Sequence, residues 1–249
     1  MNPTYVWFDF TRQLRMPANM FFMIVLPMVM YIVFGAAQGY SSVTIGHGNV
    51  SAMMMGTMAT YGAMTATTSL AGTAALEQQY GWRRQLALTP YTPVNFVVGK
   101  VAMAVMVAVL PILAIFTAGA LGNAEVASWW RWLAIFGACL LTASVFTVYG
   151  LAIATWFRSE EAVGLASGLL VVLFFLGNAF LPLNDTMLAI GRFTPAYGAI
   201  GLARYPVTGG VVNETVTDPL WLLLLNMGVW AAIFVAAALL GARRSTGRQ

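Results

Sequence analysis

The stretch Leu76–Pro93, LEQQYGWRRQLALTPYTP, is a charged island in a chain that otherwise keeps charge out. No Asp, Glu, Lys or Arg occurs from Pro17 to Leu76, and none occurs again from Val101 to Ala124. Gly81 can redirect a helix, and Pro90 prevents its simple continuation. Trp82, Leu86 and Leu88 are too bulky and apolar to be idle in a hydrated loop. One continuous helix would scatter them over two stripes, whereas a bend near Gly81 and a short helix from Trp82 to Leu88 keeps them together. A short apolar helix flanked by Arg83 and Arg84 suits docking into a partner's groove. The alternative is a loop held at the headgroups by Trp82 and the two arginines.

Composition says what surrounds the island. Of 249 residues, 60% are hydrophobic and 8% are charged, against about 25% charged in soluble domains. That is too little charge to coat a water-soluble surface, so the chain reads as an integral membrane protein. The single cysteine, Cys139, excludes an intrachain disulfide and a thiolate metal cluster. The formal net charge is +4, but the arginines sit at the ends of apolar runs rather than in one stripe. This points to placement by the bilayer and not to nucleic acid. The first apolar run, Asn19 to Gly39, is too long for the h-region of a cleaved signal.

Runs almost free of charge, each long enough for about 20 helical residues, lie near Met20–Gly39, Ser51–Ala75, Val94–Leu121, Trp129–Phe157, Ala162–Pro182 and Pro219–Ala242. The expectation is an all-α membrane protein of six transmembrane helices in a single domain, 1–249. With the amino terminus inside, the cytoplasmic segments hold Arg12, Arg15, Arg83, Arg84, Lys100, Arg158, Arg243, Arg244 and Arg248. The outer segments hold only Arg131, Arg192 and Arg204. This asymmetry obeys the positive-inside rule and places both termini and the island in the cytoplasm of a cell (inner or plasma) membrane protein. In residues 1–18, Asn2 and Pro3 suit a helix start, and Trp7, Phe10 and Leu14 share one face, which predicts an interfacial helix. Residues 183–218 fall outside. Their apolar stretch Ala196–Ala203 is too short to span, and Pro195, Pro206, Gly209 and Gly210 divide the segment into short helices and turns. A re-entrant or interfacial extracytoplasmic cap is expected.

Several chemistries are excluded. The single histidine, His47, lies in a short outer loop, so no Ser–His dyad or histidine metal site can assemble within the membrane. GLASG at 164–168 has Ser167 but no base, and reads as small residues permitting close helix contact. No HExxH and no phosphate-cradling GxxxxGK occurs. Fifteen methionines include the consecutive Met53, Met54 and Met55, which point different ways on a helix and suit adaptable packing rather than copper. The spans lack a central ionisable residue of the kind that proton-driven carriers use as a relay. Na⁺ coupling through backbone carbonyls stays open; otherwise energy for uphill transport would enter from outside the spans, where the island lies.

The island resembles the cytoplasmic coupling region of type-2 ABC exporter permeases, the family that includes daunorubicin-resistance-like and polysaccharide or lipid export permeases. The likeness lies in Glu77, Gly81, Leu86, Leu88, Thr89–Pro90 and Gly99–Lys100, with Gln78–Gln79 and Trp82 as departures. FTRQLRMPANMFFMIVLP (residues 10–27) is similar to the family's first helices, and Gly177, Pro182, Pro195, Tyr197 and Gly209–Gly210 to its fifth span and outer cap. The resemblance implies a half-transporter that pairs with a second copy or a related permease, among membrane lipids, above two copies of a separate ABC ATPase subunit. ATP and Mg would bind in that partner. No catalytic, cofactor-binding or metal residue is assigned to this chain. ATPase coupling would fall to residues 76–93, through Glu77, Gly81, Trp82, Arg83, Arg84, Leu86, Leu88 and Pro90.

The resemblance further implies a dimer face on the first and fifth spans, where Gly35 and Gly39, and Gly164 and Gly168, each have GxxxG spacing; packing within one chain is the alternative. In the second span Thr60 and Thr67 stand among many hydroxyl residues. These either bond their own helix carbonyls or form a weakly polar pathway wall. Asn178 with Phe174, Phe175 and Phe180 is a candidate outer gate. The reading is an ATP-driven exporter's permease for amphiphilic drugs, lipids or lipid-linked compounds, as in drug efflux and antibiotic resistance; a passive channel and a membrane scaffold or immunity protein are the alternatives.

Overall fold

The computed structural model describes residues 21–77, 93–157, 159–180, 183–213 and 216–246. The chain runs α1 (Phe21–Ala36), β1 (Thr44–Ile45), β2 (Gly48–Asn49), α2 (Val50–Glu77), α3 (Pro93–Leu121), α4 (Trp129–Phe157), α5 (Glu160–Leu176), α6 (Asp185–Gly191), α7 (Pro195–Thr208) and α8 (Leu220–Thr246). The predicted interfacial helix at 1–18 and the Trp82–Leu88 helix lie outside the described residues.

Among the described residues, three helices are long and apolar enough to cross a membrane, at Ala102–Leu121, Trp129–Phe157 and Leu220–Gly241. The other runs depart from the six-span expectation for separate reasons. The helical run of α1, Phe21–Ala36, has π-helical turns at both ends. Helix α5 has 17 residues, about 26 Å at 1.5 Å per residue. Helix α2 has 28 residues, but Gly, Ser and Thr lower its hydropathy.

That composition follows from position. Helix α2 is the central rod, packed against α1, α3, α4, α5 and α7, and none of its described side chains is exposed. Small residues let neighbours approach closely where no hydrophobic force drives helices together in lipid. At Gly150 of α4 an added Cβ would lie 2.3 Å from the Thr68 carbonyl oxygen, and at Gly72 of α2 it would meet Val163 of α5 at 2.4 Å. The hydroxyls that come with this composition turn back on their own helix: Thr57 donates to Met53 O, Thr60 to Gly56 O and Thr67 to Ala63 O, at 2.8–2.9 Å. Around the rod, α1, α3, α4, α5 and α8 all carry large apolar side chains on their outward faces, among them Val29, Leu113, Leu133, Leu165 and Leu225. An apolar exterior around a tightly packed interior is the pattern a lipid solvent selects.

The irregular backbone gathers at one end. The β1–β2 hairpin turns at Gly46, whose φ of +55° and approach to Val207 O require glycine. Its neighbour His47 donates its amide to Val207 O at 2.7 Å and accepts from the Ala127 amide at 2.8 Å. Asn49, 2% exposed, caps α2 by accepting from Ala52 N, also accepts from Glu125 N, and donates to Asn123 O. The loops before α2 and α4 and the end of α7 thus form one assembly, on the side the charge asymmetry assigns to the exterior.

The Gly150 contact makes a direct prediction. Gly150→Ala should lower stability by about 1–3 kcal/mol through overpacking, seen as an earlier thermal midpoint in detergent. Gly137→Ala, on an open face of the same helix, should not lower it.

Candidate functional site: the outer cavity and its cap

Helix α5 was expected to continue to Pro182 but ends at Leu176. Asn178 takes a left-handed φ of 65°, a conformation asparagine tolerates and one that commonly ends helices. The chain there presses on α7, where an added Cβ at Gly177 would lie 2.6 Å from Ile200 Cδ1. Ending the helix turns two carbonyls sideways, and Arg204 of α7 meets both. Its Nη1 donates to Asn178 O at 2.8 Å and its Nη2 to Ala179 O at 2.7 Å, while Nε donates to Thr57 Oγ1 at 2.8 Å. One guanidinium therefore joins α2, α7 and the end of α5. A cation beside the carboxyl end of a helix also complements its dipole. Burial draws the Arg204 pKa down to about 10, so it stays protonated at neutral pH.

A second polar cluster closes the cap. Asp218 is 3% exposed; its Oδ1 accepts from Arg192 Nη2 at 2.6 Å and its Oδ2 accepts from the Tyr197 hydroxyl. Burial, then the neighbouring carboxylate, pushes the Tyr197 pKa up to about 12. The turn between α6 and α7 hangs on α8: Asn226 Nδ2 donates to Arg192 O at 2.9 Å and to Thr194 O at 3.2 Å, and Trp230 Nε1 donates to Phe193 O at 3.0 Å. Gly198 permits this, since a Cβ there would collide with the Asn226 amide.

Between these clusters lies a cavity of about 120 Å³ lined by the polar residues Arg204, Asn178, Tyr197 and Asp218 and by the apolar residues Met53, Met54, Phe180, Ile200 and Leu223. Of the predicted gate residues, Asn178 and Phe180 line it. Phe180 stacks on exposed Phe175 at 4.6 Å and touches Phe34 at 5.5 Å and Phe174 at 6.3 Å between ring centres. Buried Phe174 meets Tyr61 edge-on at 4.9 Å. Thr60 and Thr67 are elsewhere, fully buried, with Thr60 against Cys139 of α4 at 3.3 Å. Gly35 packs inside the chain, where a Cβ would meet Met54 at 2.9 Å, while Gly39, Gly164 and Gly168 face open space. Glu77 is the last residue of α2. Gly81, Trp82, Arg83, Arg84, Leu86, Leu88 and Pro90 lie outside the described residues. Arg204, Arg192, Tyr197, Asp218 and Asn226 were not singled out as site residues from the sequence. The available signal was Arg204 closing the otherwise uncharged stretch from Phe193 to Ala203.

A mostly helical bundle with an apolar exterior and helices long enough to cross a bilayer defines a membrane protein. Residues 4–214 match the ABC-2 type transporter family, and the chain belongs to it: it is a permease subunit of an ABC-type transporter, a class that works with an ABC ATPase and is not itself catalytic. No curated protein matches the chain significantly.

The Asp218 cluster can be tested by removing one partner. Arg192→Met should cost about 1.5–3 kcal/mol, the range for a hydrogen bond to a charged group, rather than the about 3–5 kcal/mol of breaking a fully buried pair, because the Arg192 side chain is 38% exposed. The double variant Arg192→Met with Asp218→Asn should recover part of that loss in thermal unfolding, since no unpaired buried charge is left.

Proposed function

We propose that this chain is half of an ATP-driven exporter of amphiphilic compounds, among them drugs, lipids or lipid-linked molecules, in the cell membrane. In this reading α1, α2, α3, α4, α5 and α8 are the six spans, both termini are cytoplasmic, and residues 183–218 cap the outer end. The observation that carries it is the family match across 4–214, which contains the whole 76–93 island. The island receives the closing motion of two ATPase subunits, each binding ATP and Mg, through Glu77 and the Trp82–Leu88 segment. Arg83 and Arg84 serve as charge partners there. Further support comes from α2, which runs unbroken from the outer cavity to Glu77. Its 28 residues make a rod of about 42 Å, with Thr57 bonded to Arg204 near one end and the island at the other.

A second permease copy completes the pathway. Gly164 and Gly168 lie on an exposed face of α5 with Leu165, Leu169 and Val172, where a neighbouring helix can approach closely. Phe174, Phe175, Asn178 and Phe180 form the outer gate beside the cavity.

Coexpression with a candidate ABC ATPase subunit tests coupling. The two should copurify, and ATP hydrolysis should rise when the permease is present; loss of both in the wild-type pair would leave a passive channel or scaffold. Glu77→Ala should insert normally and cut the stimulation several-fold. For the dimer, Gly164→Leu with Gly168→Leu should abolish cysteine crosslinking between α5 helices. Undiminished crosslinking would assign that face to lipid.

A further inference from the structure

We propose that the cavity under the outer cap binds the anionic head of an amphiphile, with Arg204 as the charge that holds it. The inference deepens the exporter reading by naming the chemistry of its ligand, and it starts from the pairing of charges. Of the two ionised side chains that line the cavity, Asp218 is already answered: one carboxylate oxygen takes Arg192 and the other takes Tyr197. Arg204 is not answered. Its bonds go to two carbonyls and a hydroxyl, and no carboxylate stands within ion-pair distance of it among the described residues. A guanidinium has five N–H groups. Three are used, which leaves one on each terminal nitrogen, able to take two oxygens of one anion. A cation removed from water without a counter-charge is costly, and carbonyl dipoles offset that only in part.

Size and wall chemistry narrow the ligand further. The cavity of about 120 Å³ is well below the 300–1,000 Å³ typical of a site enclosing a whole drug-sized ligand. It admits a phosphate or carboxylate and the first methylenes behind it. The rest of the lining includes Met53, Met54, Phe180 and Leu223, apolar and, at the methionines, able to reshape. A charged head and an alkyl stem match that mixed lining.

The test uses the full chain in phosphatidylcholine nanodiscs, with radiolabelled dodecyl phosphate as probe and empty nanodiscs as blank. Saturable binding is expected, with dodecanol failing to compete. Competition by inorganic phosphate would identify a free anion as sufficient, and competition by dodecyl phosphate alone a lipid-like ligand; either outcome keeps the site. Arg204→Gln should weaken binding at least ten-fold, and Arg204→Lys less. Because Arg204→Gln also unpairs two carbonyls, Met53→Trp is the second variant: it narrows the cavity, leaves the Arg204 bonds in place and should also weaken binding ten-fold. Unchanged affinity in Met53→Trp, unchanged affinity in a folded Arg204→Gln, or equal binding of dodecanol would overturn the proposal. No ATPase is present in this measurement, so a negative result leaves the coupling reading standing.

Discussion

A backbone carbonyl that leaves a helix inside a membrane protein must be met by a fixed donor, because lipid supplies none. Helix α5 creates that demand where it stops at Leu176, and Arg204 meets it with Nη1 and Nη2 on Asn178 O and Ala179 O. The same rule organises the rest of the outer end. The α6–α7 turn exposes carbonyls at Arg192, Phe193 and Thr194, and Asn226 and Trp230 of α8 donate to all three. The carbonyl of Pro206 receives Arg131 Nη1, and those of Asn123 and Glu125 receive the side-chain and backbone N–H groups of Asn49. Irregular backbone is tolerated there because long polar side chains from neighbouring helices are aimed at it.

The opposite strategy rules the bundle's middle. Helix α2 turns most of its hydroxyls inward: Thr57, Thr60, Thr67 and Thr73 bond carbonyls of their own helix and Thr68 donates to Phe146 O of α4, while its glycines and alanines draw five helices close. A rod packed that tightly would, under the proposed coupling, move as one piece, because packed interiors transmit strain. Under the proposed coupling, displacement of the island at Glu77 is therefore delivered at Thr57, where the rod is bonded to Arg204. The cavity sits at that joint.

Much of the bundle was legible in the sequence, because clearing charge from a span is a local signal. Trp129–Phe157 coincides with α4, and Pro93–Leu121 begins one residue before its expected start. The end of α5 was placed six residues late: Gly177 and Asn178 break the helix, but the apolar run on either side hides the break. The cap's division into short helices was legible from Pro195 and Gly209, which opens and ends α7 as first residue and left-handed cap. The pairings were not. Arg204 meets Thr57 across 147 residues and Arg192 meets Asp218 across 26, and nothing in one sequence ties such positions together. Asn49 illustrates the same limit: it begins an NxS motif, yet it is buried as the cap of α2.

The placement of charge bears on how such a permease can work. Between their end turns the described long helices carry no Asp, Glu, His or Arg, and their one Lys, Lys100, lies near the start of α3; in the proposed exporter this leaves cargo an apolar route with few holding points. In that exporter, an amphiphile would lack a charged contact for its head until it reached the end where Arg204 stands beside Phe180. A charged station there rather than at mid-depth would add no desolvation barrier to the middle of the path. Under the proposed coupling, release would depend on the joint itself: movement of α2 relative to α7 would stretch the Thr57–Arg204 bond and reshape the cavity wall at Met53 and Met54. Grip on an anionic head would then weaken at the moment the rod is driven.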